Sequence, residues 1–171
     1  MPTRHAYSPG DSLFQNGAEI IQSRLNELGC LHSFFFVDFR VNNLPDICPG
    51  HLLPLINGRN TVIICDDTLI PLSLFYVKHH KNVIAIYSMY TCVEVIIQSL
   101  MQWTPGEQIL RIRPGCFEVL TRKEADILGN YGSRLAGESS ENNSGNIKTI
   151  YTHEKNVARK LGRKRFVDIF N

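Results

Sequence analysis

The chain has 171 residues, 43% of them hydrophobic and 20% charged, a composition that supports one ordinary domain or two small ones and excludes wholesale disorder. The net charge of +2 conceals an asymmetry: residues 1–147 carry 11 Lys/Arg against 14 Asp/Glu, residues 148–171 carry 7 against 2, and so −3 on the body faces +5 on an end suited to a polyanion. The apolar runs are too short or too interrupted to span a bilayer and no signal peptide is apparent, so a cytoplasmic protein with no membrane partner is expected.

In chain order, His5-Ala-Tyr7 predicts a short strand, and Pro9-Gly-Asp-Ser is turn and cap chemistry. Leu13 to Leu28 predicts an amphipathic helix with Leu13, Gly17, Ile20, Ile21, Leu25 and Leu28 on one side, Asp11 or Ser12 as N-cap and Gly29 as C-cap. Leu31 to Phe39 is an aromatic-rich strand. Three prolines between Pro45 and Asn57 leave room for one short helix around His51 to Ile56. Asn60 to Cys65 and Val83 to Tyr87 are unbroken apolar runs, as in strands covered on both faces. Between them Leu69 to His79 predicts a helix, and Thr91 caps another from Cys92 to about Trp103. Strands alternating with helices at this spacing predict an α/β unit with a mostly parallel sheet and helices on both faces.

Glu107 to Cys116 reads as a connecting segment with Pro114-Gly115 as a hinge. Thr121 and Glu124 have capping-box spacing ahead of the apolar pair Ile127-Leu128. Gly137 to Gly145 is polar throughout. On a 3.6-residue period Ile147, Ile150, Val157, Ala158 and Leu161 then share one side of a helix, and Lys148, Thr152, Lys155, Arg159 and Arg163 the other. A rod with an apolar underside and a basic back can rest on a core and offer cations to the DNA major groove, which admits one α-helix.

Thr149-Ile-Tyr-Thr-His-Glu-Lys-Asn-Val-Ala-Arg-Lys-Leu-Gly162 is similar, nearly residue for residue, to the T-V-x-x-H-x-x-N-I-x-x-K-L-G recognition-helix signature. Leu120-Thr-Arg-Lys-Glu124 with Ile127-Leu128 is similar to L-T-x-R-E-x-x-V-L, and Ile97 to Leu110 to a last receiver helix with its A-x-G-E-x-x-L exit. On these passages the chain resembles response-regulator-like transcription factors with a LuxR-type (NarL-type) helix-turn-helix, and Pro71 to Leu110 resembles the small enterobacterial capsule regulators of that group. The resemblance implies a receiver-like α/β domain over 1–110, a linker over 111–116 and a small all-α helix-turn-helix domain over 117–171 that binds double-stranded DNA through the 147–161 helix. By the same correspondence Tyr151, Thr152 and Lys155 face base edges. Lys148, His153, Arg159 and Lys160 meet phosphates, and Arg163, Lys164 and Arg165 extend that surface.

Two departures shape the expectation. Asp38 stands where the resemblance puts a phosphoacceptor, with Asp11 as one candidate acidic partner. Yet Cys65 or Asp66 replaces the expected hydroxyl, Tyr87-Ser88 the expected lysine, and the gap from Leu28 to Leu31 is too short for the usual extra strand and helix. The expected domain is a pseudo-receiver that works without phosphorylation, with Asp38 read as a vestigial position and a strand-end turn residue. Second, Ser139 to Ser144 offers no apolar anchor for the first helix of the helix-turn-helix. That favours a rival reading: an auxiliary protein that acts by heteromeric association with an RcsB-type response regulator, with little autonomous sequence-specific binding. A protein partner is expected under either reading, in a homodimer or in a heterodimer with such a regulator.

Catalysis and cofactors are not expected. The five cysteines include no C-x-x-C pair, so neither a zinc site nor a redox motif is indicated, and a reduced setting follows. Adjacent His79-His80 cannot share a helix face toward a metal, Cys65-Asp-Asp67 reads as turn chemistry, and no phosphate loop or nucleophile elbow occurs.

Overall fold

The computed structural model describes residues 5–113, 115, 117–135 and 147–170. Strands β1 (Ala6–Tyr7), β2 (Phe34–Phe39), β3 (Asn60–Cys65), β4 (Val83–Ser88) and β5 (Ile109–Arg111) form one parallel sheet in the order β1-β2-β3-β4-β5. Every residue of β2 is buried, five of them aromatic or aliphatic and the sixth Asp38. Alternate side chains serve opposite faces. Phe34 and Phe36 join Ala18, Ile21 and Leu25 of α1 (Ser12–Glu27) and Ile96 and Leu100 of α5 (Val93–Met101). Phe35, Val37 and Phe39 face α2 (Leu44–Ile47), α3 (Pro49–Ile56) and α4 (Ile70–His79). This is the receiver-like α/β layering expected, and sequence-adjacent strands are neighbours throughout, so no extra strand–helix pair intervenes between α1 and β2.

Several local expectations are corrected. Asp11 caps α1 through the Phe14 amide, and Gly29 takes φ 85 just beyond the helix, as expected. The buried stripe of α1, however, is Ala18, Ile21, Gln22 and Leu25, while Leu13, Ile20 and Leu28 are exposed. Gln22 is buried because its amide accepts from the Phe34 N–H at 2.9 Å and donates to the His32 carbonyl at 3.1 Å, fixing the entry to β2. The strand itself begins at Phe34 rather than Leu31. Cys92, not Thr91, is the N-cap of α5. Ile109–Arg111, read from sequence as part of a connector, is the fifth strand, since β4 offers it a free edge. The hinge position Pro114 and the polar stretch 137–145 lie outside the described residues.

Of the C-terminal helices, α6 (Arg122–Leu135) packs on α2, α3 and α4, and α7 (Ile147–Lys160) packs on α6. Leu120, Ala125, Leu128, Val157, Ala158, Leu161, Phe166 and Ile169 belong to the same cluster of buried side chains as Leu44, Ile47, Leu52 and Phe75. Among the described residues the core is therefore continuous from the sheet into the C-terminal helices. Two glycines allow this approach: a Cβ on Gly129 would lie 3.2 Å from Cys48 Cβ, and one on Gly132 would lie 3.0 Å from Pro45 Cα.

Candidate nucleic-acid interface

Helix α7 is anchored through its second half. Val157, Ala158 and Leu161 are buried, while the first turns project outward, leaving Ile147 84% exposed against the expectation that it would join the apolar side. The helix closes on Gly162 at φ 69, with the Gly162 amide donating to the Arg159 carbonyl and the Arg163 amide to the Ala158 carbonyl. This is the paired bonding of a Schellman close, and its left-handed residue favours glycine. It turns Arg163, Lys164 and Arg165 into solvent beside the helix.

The expected capping box is present. The Thr121 amide donates to Glu124 Oε2 at 2.8 Å and the Glu124 amide to Thr121 Oγ1 at 3.3 Å. The same Glu124 oxygen receives Lys160 Nζ at 2.7 Å, and Lys160 also donates to the Val119 carbonyl at 3.0 Å. Only 10% of the Lys160 side chain and 4% of the Glu124 side chain are exposed. Burial alone would raise the Glu124 pKa, but the Lys160 ammonium and the Thr121 amide outweigh it and hold the carboxyl below its ordinary value. This pair ties the start of α6 to the end of α7, so the Lys160 ammonium, expected at a phosphate, is turned inward onto Glu124. Sequence reasoning found Glu124 as a cap and missed its second partner.

The expected base-facing residues Tyr151, Thr152 and Lys155 are all exposed on α7, Tyr151 by 68%, and the Thr152 hydroxyl donates to the Lys148 carbonyl at 2.9 Å. Lys148 is exposed on the same stretch. Tyr151 and Lys155 share a cleft of about 290 Å³ with Tyr131, Lys164, Arg165 and Phe166. The remaining expected phosphate contacts divide by their partners. Arg159 is forked onto Glu118, with Nη2 to Oε2 at 2.9 Å, and Arg165 onto Asp168 at 2.8 Å, which lowers both carboxyl pKa values. The side chains of Arg163, Lys164 and Lys155 make no hydrogen bond or ion pair among the described residues. His153 is half-buried, and its Nδ1 is enclosed without a hydrogen-bond partner among the described residues, which suits packing better than phosphate contact.

Within the sheet the expected vestigial position has a definite structure. Asp38 lies within β2, not in a turn, and its side chain is 2% exposed. Its carboxylate accepts from Ser8 Oγ at 2.6 Å and from Arg40 Nε at 2.8 and 3.0 Å, and Arg40 Nη2 bridges it to Asp11. Hydrogen bonding to Arg40 lowers the Asp11 pKa, and the two carboxylates raise that of Arg40. Nearby, burial pushes the Cys65 thiol up to about 12, and that of Cys48 likewise, so both behave as small core side chains.

Among the described residues no helix is long and apolar enough to cross a membrane, and no group of three or more His, Cys, Asp or Glu side chains is placed to hold a metal. No protein-family model and no solved structure matches the chain. It is similar to the Vi polysaccharide biosynthesis protein TviA of Salmonella typhi, with 26% identity over 163 residues that cover 95% of this chain and 91% of that protein.

Proposed function

We propose that the protein is a non-catalytic transcription regulator that binds double-stranded DNA by inserting α7 into the major groove, without control by aspartyl phosphorylation. The observation that carries this reading is the exposure of Tyr151, Thr152 and Lys155 on the outward turns of a helix whose other end is fixed in the core. Lys155 can donate to guanine O6 or N7, and the Thr152 methyl can touch a thymine methyl. Lys164 and Arg163 supply phosphate contacts that add affinity without sequence information. The saturated hydrogen bonding of Asp38 supports phosphorylation-independent action. The similarity to a Vi polysaccharide biosynthesis protein supports a role in polysaccharide biosynthesis.

The test is selection of bound sequences from a random duplex library by the purified full chain. Wild type should enrich a defined motif. Lys155→Ala should reduce discrimination at one position by about 1 kcal/mol, roughly fivefold. Lys164→Ala should weaken all duplexes alike and make the log–log salt dependence shallower by about one unit. Enrichment of no motif by wild type, or identical behaviour of both variants and wild type, would rule the assignment out.

The internal ion pairs of Arg159 and Arg165 favour a second reading, because they leave fewer cations for phosphate. In that reading the protein is an auxiliary subunit that acquires selectivity only with a second regulator, of the RcsB type implied by the sequence resemblance. Adding such a regulator to the selection distinguishes the two: a motif that emerges only with both proteins supports the auxiliary role. Under either reading Glu118→Gln frees Arg159 and should tighten binding to every duplex by about threefold, most visibly at low salt. Unchanged affinity at low salt would show that Arg159 does not reach the duplex.

A further inference from the structure

Tyr151, Glu154 and Lys155 stand one helical turn apart and line one side of the cleft of about 290 Å³ beside α7. Lys164, Arg165 and Phe166 line the other as the chain enters the turn Phe166–Ile169, and Tyr131 of α6 completes it. The aromatic part is fixed, since the Tyr131 ring lies 5.1 Å from that of Phe166 and 4.8 Å from that of Phe170. The polar groups are free. Glu154 is half-buried, yet its carboxylate has no hydrogen bond or ion pair among the described residues. The same holds for the Tyr131 and Tyr151 hydroxyls and for the ammonium groups of Lys155 and Lys164. Arg165 is engaged, on Asp168. A carboxylate that shares a cleft with two free ammonium groups and closes on neither is available to a ligand.

Each kind of group selects a different part of that ligand. The rings favour a planar partner, because stacking is favourable with any base. The ammonium groups favour an anion such as phosphate. The carboxylate accepts only, so it requires N–H donors and repels a bare phosphate. A nucleotide carries all three parts, and the cleft is at the small end of ligand sites, with room for one base and its phosphate. Among the bases guanine fits best. Its N1–H and N2–H₂ stand side by side on one edge and match the two carboxylate oxygens, whereas adenine sets an acceptor nitrogen beside its amino group. In a duplex that guanine edge is taken up by cytosine, so the fit is to a free nucleotide and not to the major groove.

We propose that this cleft binds a guanine mononucleotide, with Glu154 accepting from N1–H and N2–H₂, the base against Tyr151, and Lys155 and Lys164 on the phosphate. Binding itself does not depend on the DNA-binding reading. Its consequence does: Tyr151 and Lys155 are assigned to base edges, so an occupied cleft withdraws them and nucleotide competes with duplex.

The experiment is calorimetric titration of the full chain, without DNA, with GMP, AMP, guanosine and inorganic phosphate. Wild type should bind GMP with a dissociation constant of about 10⁻⁵–10⁻⁴ M, and AMP and inorganic phosphate at least about tenfold more weakly. Glu154→Gln exchanges one acceptor oxygen for a donor. It should weaken GMP about tenfold and erase the preference over AMP, and it should melt with wild type because no internal partner is lost. Lys164→Ala should weaken GMP about fivefold and leave guanosine unchanged. Wild type that binds GMP no better than AMP or inorganic phosphate would reduce the cleft to a plain cationic patch and overturn the proposal. So would no binding at millimolar GMP, or a Glu154→Gln chain that keeps the preference. In a second arm, GMP at about ten times its dissociation constant should weaken duplex binding about tenfold. GMP binding that leaves duplex affinity unaltered would uphold the nucleotide site and count against the α7 face assigned to DNA, so the two readings fail separately.

Discussion

Lys160→Met should lower stability by about 3 kcal/mol near neutral pH, equivalent to about 6–12 °C in melting temperature. The substitution keeps the aliphatic stem and removes the ammonium, leaving Glu124 charged in a site where only 4% of its side chain meets water. The Thr121 amide and hydroxyl remain, so the loss should fall at the lower end of what breaking a buried pair costs. The pH dependence has a definite sign. The Glu124 pKa is lowered on folding, so its contribution is fully present above the unfolded value of about 4.3 and disappears as pH falls through the lower folded value. The gap between wild type and Lys160→Met should accordingly close in acid. Glu124→Gln removes the same charge pair from the other side, and its effect should overlap with that of Lys160→Met in a double-mutant cycle. Denaturant titration at pH 7 and at about pH 3 measures both points. Additive losses from the two variants, or a gap that widens in acid, would show that the pair does not brace α7. Lys160→Met should also leave the salt dependence of DNA binding unchanged at temperatures where it stays folded, in contrast to Lys164→Ala.

The elements that were legible in the sequence are those whose signal is local. The unbroken apolar runs of β3 and β4, the Asp11 cap and the Thr121–Glu124 box need only their own neighbourhood to be recognised, and the structure keeps all of them. Helix α7 was readable for the same reason, since its bounds follow from periodicity and a glycine close. What escaped depends on partners distant in the chain. Strand β5 contributes only three residues, none of them buried, and only the free edge of β4 makes them a strand. The stripe on α1 was misplaced because Gln22 is buried by bonds to His32 and Phe34, which no amphipathicity pattern can register. Asp38 looked like a turn residue because Arg40, its counter-charge, gives no signal of direction from sequence alone. Lys160 looked like part of the basic back because helical spacing places it within one residue of Arg159, and only the approach of Glu124 separates a structural cation from an available one.

Gly132→Leu should destabilise the protein by about 2 kcal/mol although leucine is the better helix former. In an exposed helix the exchange would stabilise by close to 1 kcal/mol. At residue 132 a first methyl carbon already meets Pro45 Cα at 3.0 Å, and backbone cannot move aside as a side chain can. The leucine must lift α6 from α2, and with it the Glu124 cap that holds Lys160 and the end of α7. Gly17→Ala in α1 is the internal control, because a Cβ there meets nothing within 4 Å, and it should raise stability by up to about 1 kcal/mol. The two variants thus move in opposite directions for a reason that lies wholly in packing. Loss of selective DNA binding by Gly132→Leu at a temperature where circular dichroism still shows a folded chain would tie the seat of α6 to the presentation of Tyr151, Thr152 and Lys155. A Gly132→Leu protein that melts at or above the wild-type temperature would mean that α6 does not rest on the Pro45 backbone, and the continuity of the core from the sheet to the basic helix would fail with it.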